Sequence, residues 1–192
     1  MSLTERTVSS ERKIRVHKAT TLYLLNPDRT HVLLLKHKGF NAWLPPGGHV
    51  DDGEMPFQST LRECGEETGF WDITLLRLNA GKLSIITKDP EDQIQLEPTT
   101  FMRKGARLAE KPFAVIREKI REHNREEENL HVQEHFHNDY IFVGQLNSYG
   151  PINLDQIEAE DYQWLPLKQE AIEQLDTFPG VKAVLGKIKR IF

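Results

Sequence analysis

The chain has 192 residues, 38% hydrophobic and 28% charged, with 25 Lys and Arg against 29 Asp and Glu, a formal net charge of −4. That length suits one domain with a sizeable core, and the slight acid excess excludes nucleic-acid binding driven by bulk charge. A single cysteine, Cys64, excludes a disulfide framework or a multi-cysteine zinc site, and no apolar run approaches the ~20 residues needed to span a bilayer.

Residues 1–12 are polar, aperiodic and free of an apolar signal core, so a disordered segment, then one domain over residues 13–192, and a cytoplasmic location are expected. From Lys13 the pattern becomes β-like through Leu24 and Leu25; Asn26-Pro27-Asp28 supply turn formers, and residues 31–35 return as the second strand of a hairpin. Trp43-Leu44-Pro45-Pro46-Gly47-Gly48 is a short apolar stretch whose last residues are expected to break any regular ladder. A helix should start near Met55-Pro56, because proline suits a first helical turn, and stop at Gly69, which can take the left-handed C-terminal position.

Residues 73–78 and 83–86 have the look of short strands, and residues 88–134 form a polar insertion. Within it, residues 113–120 fit either period; a strand pairing with residues 135–145 is preferred over a helix, with residues 125–128 as the solvated tip between them. A last strand at residues 162–165 and amphipathic helices at residues 167–175 and 181–191 close an α/β pattern.

The helix at residues 56–68 carries the chemistry. At about 100° per residue, Phe57, Leu61, Cys64 and Thr68 share one face, expected to point inward, while Glu63, Glu66 and Glu67 lie on the other side. Glu63 and Glu67 are like-charged i, i+4 neighbours, which costs a helix roughly 0.2–0.5 kcal/mol unless a cation sits between them. Residues 54–67 hold four glutamates, one arginine and no lysine. Glutamate oxygens at this density suit Mg²⁺ or Mn²⁺, which also share phosphate oxygens as ligands. Arg62 is placed to grip a carboxylate, Glu54 being the candidate, and Gly47-Gly48 allow close backbone approach to the same cation.

This segment resembles the Nudix box, G-x5-E-x7-R-E-U-x-E-E-x-G-U with U hydrophobic, matched at Gly48, Glu54, Arg62, Glu63, Cys64, Glu66, Glu67, Gly69 and Phe70. The resemblance implies an α/β/α sandwich with a mixed sheet and a loop-helix-loop that holds Mg²⁺ (or Mn²⁺). It implies hydrolysis of a pyrophosphate bond in a nucleoside diphosphate linked to another moiety. Carried over by position, Gly47 would offer its carbonyl, Glu63, Glu66 and Glu67 would be ligands, and Glu54 and Arg62 would orient them. Glu158 is the candidate for a further acidic residue outside the box, with Glu160 its near competitor; Glu63 or a loop glutamate would act as base.

Other classes share the fold. A binding module would keep the nucleotide uncleaved, and an isopentenyl diphosphate isomerase would need a catalytic cysteine outside the box, where this chain has none. Candidate substrate contacts are Trp43, with Phe40, for base stacking, His137 in the His135-x-His137-x-Asp139 strand, and Arg103 in the Arg103-Lys104 run. His135, His137 and Asp139 would share one strand face, also open to a transition metal. The expected partner is a small nucleotide-like phosphoanhydride, with an RNA 5′ end as the one nucleic-acid form left open and no membrane. Nucleoside triphosphates, dinucleotides, nucleotide sugars and capped RNA all fit, with residues 88–134 as the segment expected to choose among them.

Overall fold

The computed structural model describes residues 15–77, 94–95, 112–122 and 133–192. Their elements in chain order are β1 (Arg15–Leu25), β2 (His31–His37), β3 (Ala42–Leu44), β4 (Gly47–His49), α1 (Pro56–Thr68), β5 (Ile73–Leu75) and β6 (Ile94–Gln95). They continue with β7 (Ala114–Glu122), β8 (Gln133–Leu146), β9 (Ala159–Pro166), α2 (Gln169–Gln174) and α3 (Pro179–Ile188).

The strands form one mixed sheet in the order β3-β2-β1-β8-β7-β6, with β4 beside β1, β5 beside β8 and β9 beside β2. β1 and β8 run parallel from Arg15 opposite His135 to Leu25 opposite Gln145, while the other pairs are antiparallel. Leu22 through Leu25 of β1 and Val32 through Leu35 of β2 are all buried, because these central strands are covered on both faces. Alternation sorts them. Tyr23, Leu25, Val32 and Leu34 pack with Val184, Leu185 and Ile188 of α3, and Leu22, Leu24, Leu33 and Leu35 pack with Cys64 of α1 and Phe70. The result is the expected α/β/α sandwich, and no helix among the described residues is long and apolar enough to cross a membrane.

The hairpin, the α1 boundaries, the β7–β8 pairing and the two C-terminal helices follow the sequence pattern. Three expectations need correction. Gly47 and Gly48 do not break the ladder: they pair with Thr21 and Thr20 of β1, because a Cβ on Gly47 would lie 2.2 Å from the Thr20 carbonyl oxygen and only glycine permits that approach. Of the strand expected at residues 73–78, Ile73–Leu75 forms one and residues 76 and 77 do not, while residue 78 lies outside the described residues. Finally, α1 is rotated from its apolar pattern. Its buried residues are Ser59, Thr60, Cys64, Gly65, Glu67 and Thr68, with Phe57 and Leu61 only half-buried. Polar contacts set that rotation: Thr20 Oγ1 meets Thr60 Oγ1 and the Pro56 carbonyl, and Glu67 reaches the Gly47 backbone. Two-residue β6 inside the polar insertion was not expected from sequence. The strand expected at residues 83–86, the tip at residues 125–128 and the N-terminal segment lie outside the described residues.

Candidate active site

α1 is anchored at both ends. Pro56 opens it without wasting a backbone donor, and the Met55 N–H donates to Gln58 Oε1 at 3.0 Å. Gly69 closes it in the left-handed region at φ 76°, its N–H donating to the Gly65 carbonyl at 2.8 Å. The loop before β9 then satisfies the last turn: the Asn153 and Asp155 N–H groups donate to the Thr68 and Glu67 carbonyls, both at 2.8 Å. That docking carries Glu158, the residue before β9, to the carboxylates of the helix.

Glu67 is the centre of this arrangement. It is 6% exposed, and its Oε2 accepts the Gly47 N–H at 3.1 Å. Burial pushes its carboxyl up to about 9; the Gly47 N–H opposes that rise, and the charges of Glu158 and Glu63 and a hydrogen bond with Glu158 add to it. Burial also raises Glu63, against the pull of Arg62. Glu63 lies over Gly48 so closely that a Cβ there would sit 2.5 Å from the Glu63 Cδ. Thus each glycine of β4 serves one glutamate: Gly47 donates to Glu67, and Gly48 leaves room for Glu63.

Arg62 orders the outer side. Its Nε and Nη2 grip the Glu54 carboxylate at 3.2 and 3.1 Å, and its Nη1 donates to Glu63 Oε1 and Glu66 Oε2, both at 2.9 Å. Nη2 also reaches the His49 carbonyl at 3.1 Å and Ser59 Oγ at 3.2 Å, and Asp51 lies 3.6 Å away. The Arg62 hydrogen bond holds Glu54 below the usual carboxylate range, and Glu54 in return holds the guanidinium firmly charged. A planar fork serving three carboxylates fixes their orientation in a way a point charge cannot. Glu66 is the most open of them, its side chain 54% exposed.

The structure brings together Gly47, Glu54, Arg62, Glu63, Glu66, Glu67 and Glu158. It does not bring Trp43 among them. The Trp43 ring packs against the core shared with α3, and its backbone is bonded to the α2–α3 connection through Asp176 and Thr177. Phe40 is exposed beside His37 and Phe178 instead. His137 lies against His17 and His49, whereas Asp139, two residues on, accepts from Thr21 Oγ1 at 2.8 Å. Arg103 and the side chain of His135 lie outside the described residues. Sequence reasoning missed the buried setting of Glu67 and the partners of His137. The one signal for the latter was His49, directly after the box glycine.

A mixed sheet between helices thus carries a cluster of glutamates, gathered by an arginine fork beside the two glycines of β4. The NUDIX domain matches residues 15–103. A mouse (Mus musculus) bis(5′-nucleosyl)-tetraphosphatase [asymmetrical] is 42% identical over 156 residues, covering 80% of this chain and 74% of that protein. The pig (Sus scrofa) protein of the same description is 42% identical over 55 residues, 29% of this chain, and the match spans only 32% of that protein's length. A NUDIX-family hydrolase structure from Clostridium perfringens superposes with a TM-score of 0.59 at 19% identity, over 91% of this chain and 97% of that one, a likeness of fold. The chain belongs to the Nudix hydrolase family.

Proposed function

We propose that this chain hydrolyses a pyrophosphate bond in a nucleoside diphosphate linked to another moiety, using Mg²⁺ (or Mn²⁺) held by Glu63, Glu66, Glu67 and the Gly47 carbonyl. The observation that carries this reading is Glu67, buried on the Gly47 N–H beside Glu63 and Glu158, with Arg62 clamping the outer carboxylates. An all-oxygen donor set of this kind fits a hard divalent cation and not a soft one. When bound, such a cation neutralises the phosphate oxygens and lowers the pKa of a bound water.

The chain's own residues divide the remaining work. Arg62 keeps Glu63 and Glu66 oriented through the reaction. Glu54 holds Arg62 in place from the other side. Glu63 or Glu158 accepts the proton of the attacking water, both being at the cluster. Residues 13–192 act in this reading as one unit, with residues 88–134 contacting the moiety beyond the phosphates.

Within the substrate class, a dinucleoside polyphosphate has the support of the mouse relative's description. The isomerase alternative is opposed by Cys64, which is fully buried against Phe70 and has its thiol pushed up to about 12 by that burial. The test is product analysis across dinucleoside polyphosphates, nucleoside triphosphates, nucleotide sugars and capped RNA with Mg²⁺ and Mn²⁺. Metal-dependent release from at least one is expected, with a preference for the dinucleoside polyphosphate. Nucleotide binding with no cleavage of any would establish the sensor alternative instead.

A further inference from the structure

Strands β4, β1 and β8 lie side by side, and each carries a histidine at the same end of the sheet. His17 of β1 is directly opposite His137 of the parallel strand β8. His49 of β4 is opposite Ala19, two residues along β1, and the Val50 N–H extends that pairing to the Lys18 carbonyl at 3.0 Å. The three rings meet, with centroids 5.6 Å apart for His17 and His137, 4.9 Å for His49 and His137, and 5.8 Å for His17 and His49. One ring nitrogen from each lies within 4.8 Å of the other two.

Those nitrogens are donors of a different chemical kind from the box. Imidazole suits zinc and its transition-metal neighbours, whereas carboxylates and carbonyls suit magnesium. A tetrahedral zinc with bonds of 2.0–2.1 Å needs nitrogens roughly 3.4 Å apart, so the rings would close from within 4.8 Å by side-chain rotation on backbones held by the strand ladders. Three protein donors leave a fourth position. His17 and His49 line a cavity of about 350 Å³ together with Lys18, Asp51, Asp52 and Glu54, which gives a metal an entry path. Because Glu54 is also the residue gripped by Arg62, this cavity adjoins the catalytic box.

We propose that His17, His49 and His137 form a second metal site, of the open three-histidine zinc type, chemically distinct from the carboxylate site of the box. The proposal is independent of which nucleotide is cleaved, and so is its test. The full chain, stripped with a chelator, is dialysed to equilibrium against micromolar Zn²⁺ in millimolar Mg²⁺ and its zinc measured by elemental analysis. One zinc per chain is expected for the wild type and also for the Glu63→Gln/Glu67→Gln variant, falling at least tenfold in His17→Asn and in His137→Asn. Zinc should raise the melting temperature of the wild type and not of either histidine variant. Should a histidine variant fail to fold, histidine ring NMR of the wild type replaces it, with three of the eight histidines shifting together at one equivalent of zinc. The proposal is overturned if magnesium displaces the zinc, if the glutamine variant loses it, if the histidine variants keep it, or if only inorganic phosphate perturbs the three rings.

Discussion

The burial of Glu67 makes the metal-free protein's stability depend on pH in a direction opposite to that of most carboxylates. The ordinary value is 4.5 and the folded value about 9, so between these limits the folded chain holds a proton the unfolded chain has released. Below about pH 4.5 both states are protonated and the full stability is present; as pH rises toward 9 it is lost at about 1.4 kcal/mol per pH unit. At pH 7, roughly 2.5 pH units above the ordinary value, the loss is about 3 kcal/mol. Glu67→Gln removes this titration while its amide oxygen still accepts the Gly47 N–H. In chelator at pH 7 the variant is therefore expected to melt higher than the wild type, by roughly 6–12 °C for a chain of this size. Thermal unfolding of both proteins in chelator from pH 5 to 9 is the assay, with curves that converge in acid and separate toward pH 9. Added Mg²⁺ should recover the deficit in the wild type and do little for the variant, whose turnover should fall by orders of magnitude. A variant less stable than wild type at pH 8, or a difference that does not change with pH, would refute the reasoning.

Arg62→Lys keeps the charge and loses the fork, so turnover should fall roughly 10–100-fold with little change in melting temperature; equal turnover would mean that orientation of Glu54 and Glu63 is unimportant. Gly48→Ala places a Cβ against the Glu63 carboxylate and should lower kcat roughly 100-fold while circular dichroism stays native, checked by steady-state kinetics. Cys64 should react with a thiol reagent only on unfolding, and Cys64→Ala should keep its turnover; rapid labelling of the native protein would contradict the buried, protonated thiol.

Much of the fold was legible because its signals are local. Pro56 and Gly69 mark the ends of α1 through their own backbone restrictions, and the turn residues after Leu25 announce the hairpin. The box is equally local: Glu54, Arg62, Glu63 and Glu66 lie within two turns of one helix and the loop before it, so spacing alone pairs the arginine with its carboxylates. Glu158 was legible only through the resemblance, because nothing near it in sequence says that the loop before β9 docks on the end of α1.

What spacing could not decide was which way α1 turns and what meets across strands. The apolar pattern pointed Phe57 and Leu61 inward, yet the contacts of Thr20 with Thr60 and of Gly47 with Glu67 turn the helix until a glutamate is buried. Trp43 follows the same logic, since the sheet face that a strand residue occupies depends on which helix covers it. His17, His49 and His137 are far apart in sequence and meet only because β1 pairs with both β4 and β8. Local spacing alone placed three glutamates and Arg62 on one helix, with Glu54 in the loop before it. Their burial, and with it their proton affinities and the gathering of three histidines beside them, required the tertiary structure, because desolvation and cross-strand register are properties of the packed chain alone.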